Sequence, residues 1–120
     1  MVVIDDEAHI RRVIELKLKN KGYSVVTATN GEEGLAFVKE QRPDVVITDI
    51  MMPKLDGKTL SMELNKLKGE WAFLTIVMTC RISPDENAWI DKMQDILFLE
   101  KPFSPTRLME YIEGYFRGMN

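Results

Sequence analysis

Cysteine is almost missing from this 120-residue sequence: Cys80 stands alone, so no disulfide can form within the chain. A chain of that kind suits a reducing compartment, and a cytoplasmic location is expected. Histidine is equally scarce, with His9 the single one. No apolar run approaches the length of a membrane span, and no stretch reads as a signal peptide. Low-complexity segments are lacking too. The formal charge of −3 gives no electrostatic reason to bind nucleic acid. The one basic cluster is Arg11, Arg12, Lys17, Lys19 and Lys21. Its last three members end a predicted helix, where cations complement the dipole. What remains is 45% hydrophobic and 29% charged, the composition of a globular domain. The length suits a single domain over 1–120 around one core, with no output domain.

Five short apolar runs alternate with helical patterns. The runs are Val2–Ile4, Ser24–Ala28, Asp44–Thr48, Phe73–Met78 and Ile96–Leu99. Their hydrophobicity is nearly continuous, as in strands buried on both faces of a parallel sheet. The first helix is predicted from about Glu7 to Asn20, with Ile10, Val13, Ile14 and Leu18 on one face and Gly22 as its stop. The second follows Asn30, an N-cap residue with Glu33 three positions on. The third follows Asp56-Gly57. The fourth starts at Ser83-Pro84-Asp85-Glu86 and the fifth at Ser104-Pro105, each with a cap residue and then proline. The fifth should bury Leu108, Ile112 and Phe116. Five βα units predict a doubly wound α/β domain with helices on both faces of a five-stranded parallel sheet.

In such sheets reactive groups collect beyond the carboxyl ends of the strands. The first predicted strand runs into Asp5-Asp6, the third into Asp49, the fourth into Thr79, and the fifth into Glu100-Lys101-Pro102. A lone acid at a strand end is ordinarily a cap or turn residue. Three acids, a hydroxyl and an ammonium on one sheet edge are a chemical constellation. Clustered carboxylates repel unless a cation sits among them. Hard oxygen ligands without a His or Cys set favour Mg²⁺ over Zn²⁺. A carboxylate can also act as a nucleophile toward phosphorus. Thr79 and Lys101 then suit the remaining phosphoryl oxygens, and phosphoryl transfer needs mainly positioning and charge neutralisation.

These motifs resemble the receiver domain of two-component response regulators, the CheY-like family. The resemblance rests on Asp5-Asp6, Asp49 with Met52-Pro53 and Asp56-Gly57, Thr79, and Lys101-Pro102-Phe103, and it covers essentially the whole chain. It implies strand order 2-1-3-4-5, as in the flavodoxin-like fold. It implies Asp49 as phosphoacceptor, Mg²⁺ held by Asp6, Asp49 and the Met51 carbonyl with Asp5 close by, and Thr79 and Lys101 on the phosphoryl group. The Lys101-Pro102 peptide is expected to be cis. Phe98 falls at a switch position, coupled to Thr79, so that phosphorylation would reshape the face made by the fourth helix, fifth strand and fifth helix. Read from the residues alone, Phe98 is a core aromatic. The implied partners are a sensor histidine kinase or phosphotransfer protein, then a downstream target or a missing output domain, with no nucleic acid or membrane. A monomer or a phosphorylation-dependent dimer is expected, and no enzyme beyond self-phosphorylation and autodephosphorylation.

Some positions depart from the family pattern. Gln94-Asp95 replaces a small Gly-Ala pair, and Cys80 follows Thr79 where a small residue is usual. Met51 and Arg81 stand where the family tunes phosphoryl lifetime. Glu100 should alternate away from the site, and His9 reads as a solvated helix residue. Trp89, Tyr111 and Tyr115 suit either a partner surface or partial burial. Two other readings remain: a haloacid-dehalogenase-like aspartyl phosphatase, whose Asp-x-Asp after the first strand is not matched by the adjacent Asp5-Asp6, and an interaction module that takes no phosphate.

Overall fold

The structure is a computed structural model and describes residues 1–49, 57–79, 95–101 and 104–118. Within them, β1 (Val2–Ile4), β2 (Val26–Ala28), β3 (Val45–Asp49), β4 (Leu74–Thr79) and β5 (Ile96–Glu100) form one parallel sheet. Their order is β2-β1-β3-β4-β5, as the resemblance implied. The described helices are α1 (Ala8–Asn20), α2 (Gly31–Gln41), α3 (Gly57–Leu67) and α4 (Pro105–Gly118). The helix expected from Ser83, with Trp89, lies outside the described residues. So do Met51, Met52, Pro53, Asp56, Cys80, Arg81, Gln94, Pro102 and Phe103. No helix among the described residues is long and apolar enough to cross a membrane.

Local signals explain where the elements stop. At the end of α1, Gly22 adopts φ 91°, its N–H bonds the Lys19 carbonyl at 3.0 Å, and the Tyr23 N–H bonds the Leu18 carbonyl at 3.1 Å. That double closure satisfies the last carbonyls and needs a left-handed residue. At the start of α2, Asn30 Oδ1 accepts the Glu33 N–H at 2.9 Å, while Glu33 Oε1 accepts the Thr29 N–H at 3.2 Å. The reciprocal pair is the expected capping arrangement, except that the N–H donating to Glu33 belongs to Thr29, one residue before the N-cap. Ser104 Oγ accepts the Arg107 N–H at 3.0 Å and caps α4.

The sheet divides the core in two. Val3, Val45, Ile47, Ile76, Met78 and Leu99 point toward α1 and α4, and Val2, Ile4 and Val46 toward α2 and α3. Strands β1, β3 and β4 are buried throughout, as continuous hydrophobicity predicts. Strand β5 differs: it lies at the sheet edge, and Leu97 is 37% exposed. Val13 also differs from expectation. Ile14 and Leu18 are fully buried but Val13 is exposed, because one residue turns the helix by about 100° and carries Val13 off the buried stripe. Phe116 is half-buried and stacks on Tyr23, with ring centroids 5.9 Å apart. Ser24 and Val25 do not join β2. The neighbouring strand is β1, whose ladder begins at Val2↔Val26, and the Met1 ammonium donates to the Ser24 carbonyl at 2.6 Å just ahead of it.

Candidate functional site

The carboxyl ends of β1, β3, β4 and β5 bring the predicted groups to one edge. Asp5 follows β1 and continues its pairing through a 3.1 Å bond from its N–H to the Ala28 carbonyl. It is fully buried, and its Oδ1 accepts the Glu7 N–H at 2.9 Å. Asp49 is the last residue of β3 and is 6% exposed. Its register partner on β4 is Met78, so Thr79 ends the neighbouring strand one step beyond, also buried. Lys101 follows β5, and its N–H bonds the Thr79 carbonyl at 2.6 Å.

The Lys101 ammonium lies in the middle. Its Nζ is 3.2 Å from Asp49 Oδ2, 3.3 Å from Asp5 Oδ2 and 3.7 Å from Glu7 Oε1. Asp5, Asp6, Glu7 and Asp49 each offer a carboxylate oxygen within 4.8 Å of the others. Asp6 and Glu7 face solvent, whereas Asp5 and Asp49 are buried. Glu100 points outward and is exposed, and His9 is exposed on α1. Phe98 is half-buried opposite Val77.

Two members of this group were not foreseen. Glu7, read from the sequence as the first residue of a helix, stands at the N-cap position of α1 without a side-chain cap bond and joins the acids. Its signal was the unbroken run Asp5-Asp6-Glu7. Arg11, one turn along α1, donates from a guanidinium nitrogen to the Asp5 carbonyl at 2.7 Å and braces the acidic turn. Spacing alone does not reveal that contact.

The charge balance follows from the geometry. Burial pushes the Asp5 carboxyl above its usual value; the Glu7 N–H and Lys101 oppose this, and the Asp49 carboxylate adds to it. Burial pulls Lys101 down, but Asp5 and Asp49 more than reverse this, and the ammonium holds its proton above the usual lysine value. An acid and a base both shifted toward protonation mark a site short of positive charge. All the donors are hard oxygens. The residues present therefore fit a small divalent cation of the Mg²⁺ kind.

Residues 1–113 match the response regulator receiver domain family. The chain belongs to that family. It is 39% identical over its whole length to the probable transcriptional regulator ycf27 of Porphyridium aerugineum, of which the match covers 49%. Among solved structures, the chemotaxis protein CheY4 of Vibrio cholerae superposes with a TM-score of 0.84 at 28% identity, covering 93% of each chain. A receiver domain from Clostridium thermocellum gives 0.82 at 32% identity, covering 94% of this chain and 90% of that one. This receiver domain spans about half the length of the curated relatives it matches. Membership disfavours both the phosphatase and the phosphate-independent readings and places the chain in two-component signalling, in which receivers answer to histidine kinases.

Proposed function

We propose that Asp49 is the phosphoacceptor of this receiver, taking its phosphoryl group from a phosphohistidine on a sensor kinase or phosphotransfer protein. The observation that carries the reading is the Lys101 ammonium held 3.2 Å from Asp49 Oδ2 among four acids. Asp6, Asp49 and the Met51 carbonyl would hold Mg²⁺, with Asp5 beside it. The ion, when bound, supplies the positive charge that the acids lack and lowers the repulsion met by an incoming phosphoryl group.

The chain's own residues account for the rest. An Asp49 carboxylate oxygen attacks phosphorus, an O–P bond forms as the donor's P–N bond breaks, and the imidazole leaves with a proton. Lys101 is already within bonding distance of Asp49 and pairs with a phosphoryl oxygen on the product. Thr79 offers its hydroxyl from the adjacent strand end. Its movement toward the phosphoryl group opens room for Phe98, and β5 with its flanking helices passes the change to a downstream target or output domain. Water later returns Asp49 to its free state, and no metabolite is turned over. Several relatives are named transcriptional regulators, which favours control of transcription as the distant output.

Intact-mass spectrometry after incubation with acetyl phosphate tests the reading. One phosphoryl group per chain is expected with Mg²⁺, none without it, and none on Asp49→Asn. An unchanged adduct on Asp49→Asn would refute it.

A further inference from the structure

Arg11 is a cation placed close to acids that it does not pair with. It lies half-buried in the first turn of α1, where its backbone N–H bonds the Glu7 carbonyl at 3.1 Å. Asp5, Asp6 and Glu7 all stand within the six positions before it. Among the described residues its guanidinium enters no ion pair. It donates instead to the Asp5 main-chain carbonyl at 2.7 Å, the length of a charge-assisted bond. A guanidinium in reach of carboxylates ordinarily forks onto one of them. Here the acids are left open and a peptide group is held.

That peptide joins Asp5 to Asp6. Its C=O and N–H share one plane and point opposite ways, so holding the Asp5 oxygen also fixes the Asp6 N–H and Cα. Asp5 itself is tied down without Arg11: its N–H bonds the Ala28 carbonyl at 3.1 Å, its Oδ1 accepts the Glu7 N–H at 2.9 Å, and its side chain is fully buried. Asp6 is different. It is exposed, so core packing does not aim its carboxylate, and the peptide that carries it must. Glu7, at the N-cap, makes no side-chain cap bond that would stiffen the turn. The Arg11 side chain reaches back over that turn and ties the start of α1 to the end of β1.

We propose that Arg11 is a positioning residue for the divalent cation: by holding the Asp5 carbonyl it keeps the Asp6 carboxylate aimed into the group of acids. Mg²⁺ demands near-ideal octahedral geometry. Groups that orient metal ligands are worth about 10–100-fold in metal affinity. The inference rests on the Mg²⁺ site proposed above and names the residue that sets its geometry.

The sign of the effect separates this role from a simpler one. As a charge alone, a guanidinium near the acids repels a divalent cation, and its removal should tighten metal binding. As a positioning group, its removal should weaken binding.

Amide NMR titration with Mg²⁺, with no phosphodonor present, gives the dissociation constant. Arg11→Met keeps the apolar stem but removes donor and charge, and should bind Mg²⁺ about tenfold more weakly. Arg11→Lys keeps a charged donor and should recover most of that loss. Both substitutes have helix propensity close to that of arginine, so α1 should hold, and thermal melting without metal checks that both variants fold. In the acetyl phosphate assay the half-saturating Mg²⁺ concentration of Arg11→Met should rise by the same factor, while the rate at saturating Mg²⁺ stays within about twofold of the parent. Unchanged or tighter Mg²⁺ binding by Arg11→Met would overturn the proposal. So would an Arg11→Lys protein as weak as Arg11→Met, or a lower saturating rate with unchanged half-saturation. A parent protein that shows no Mg²⁺ shift around Asp5, Asp6 and Asp49 would overturn the metal site and this inference with it. Failure of Asp49 to take phosphate, with the Mg²⁺ constants as expected, would remove the phosphoacceptor reading alone.

Discussion

Asp5 and Lys101 set the character of the site at the scale of single residues. Asp5 has no exposure to solvent, so its charge depends on Lys101, on the Glu7 N–H and on any added cation. Lys101→Met removes the counter-charge and should cost about 3–5 kcal/mol at neutral pH without metal, the cost of stranding a buried charge. The sign of the pH dependence follows from the folded Asp5 pKa, which already lies above 3.8 and rises further without Lys101. The penalty is present above that folded value and disappears as pH falls through it, because a neutral carboxyl needs no counter-ion. Urea midpoints for the two proteins should therefore converge on acidification. A gap that stays constant with pH would show that Lys101 acts through packing. At this scale the sequence was readable wherever a group stands at a strand end, since topology alone gathers Asp5, Asp6, Asp49, Thr79 and Lys101. Glu7 and Arg11 were not readable. An acid at a helix start is ordinarily a dipole partner, and the reach of both side chains depends on how α1 leaves β1.

At the scale of elements, the packing of α2 on β1 turns on one glycine. A Cβ at Gly34 would lie 2.6 Å from Ile4 Cγ1, and Ile4 is fully buried. Gly34→Ala gains helix propensity, about 1 kcal/mol, but overpacks a filled core at a cost of about 1–3 kcal/mol. A net loss of stability is expected, read as a lower denaturant midpoint. A higher midpoint would mean that the contact relaxes freely. The helix caps at Asn30 and Ser104 and the stop at Gly22 could be read from residue type, because capping is local chemistry. Strand limits were less accessible. Ser24 and Val25 have strand-like character yet lie outside β2, since β1 begins only at Val2 and offers Ser24 no more than the Met1 ammonium. Val13 was misassigned because spacings of three and four admit a wider stripe than the sheet buries. Leu97 was misassigned because hydrophobicity does not tell an edge strand from a central one.

Topology belongs to the whole molecule. The alternation of runs and helices gives the fold class, but the order β2-β1-β3-β4-β5 entered through likeness to a family and agrees with the structure. Nothing in the periodicity selects it. That order puts β1 and β3 side by side in the centre and so brings Asp5 next to Asp49. The whole fold is thereby linked to the cation that the acids fit. Mg²⁺ at about tenfold over its dissociation constant should stabilise the protein by about 1.4 kcal/mol, seen as a rise in melting temperature that Asp6→Asn removes. An equal rise in that variant would place the metal elsewhere.

The most direct test of the central claim is borohydride trapping. An aspartyl phosphate is an acyl phosphate, and reduction converts that residue to homoserine. The protein is treated with acetyl phosphate and Mg²⁺, reduced, digested and sequenced by mass spectrometry. The account predicts homoserine at position 49 and at no other acid, dependent on Mg²⁺. Homoserine at Asp5 or Asp6 instead, 2-amino-5-hydroxypentanoate at Glu7, or a stable phosphoryl adduct that leaves position 49 unreduced, would contradict it.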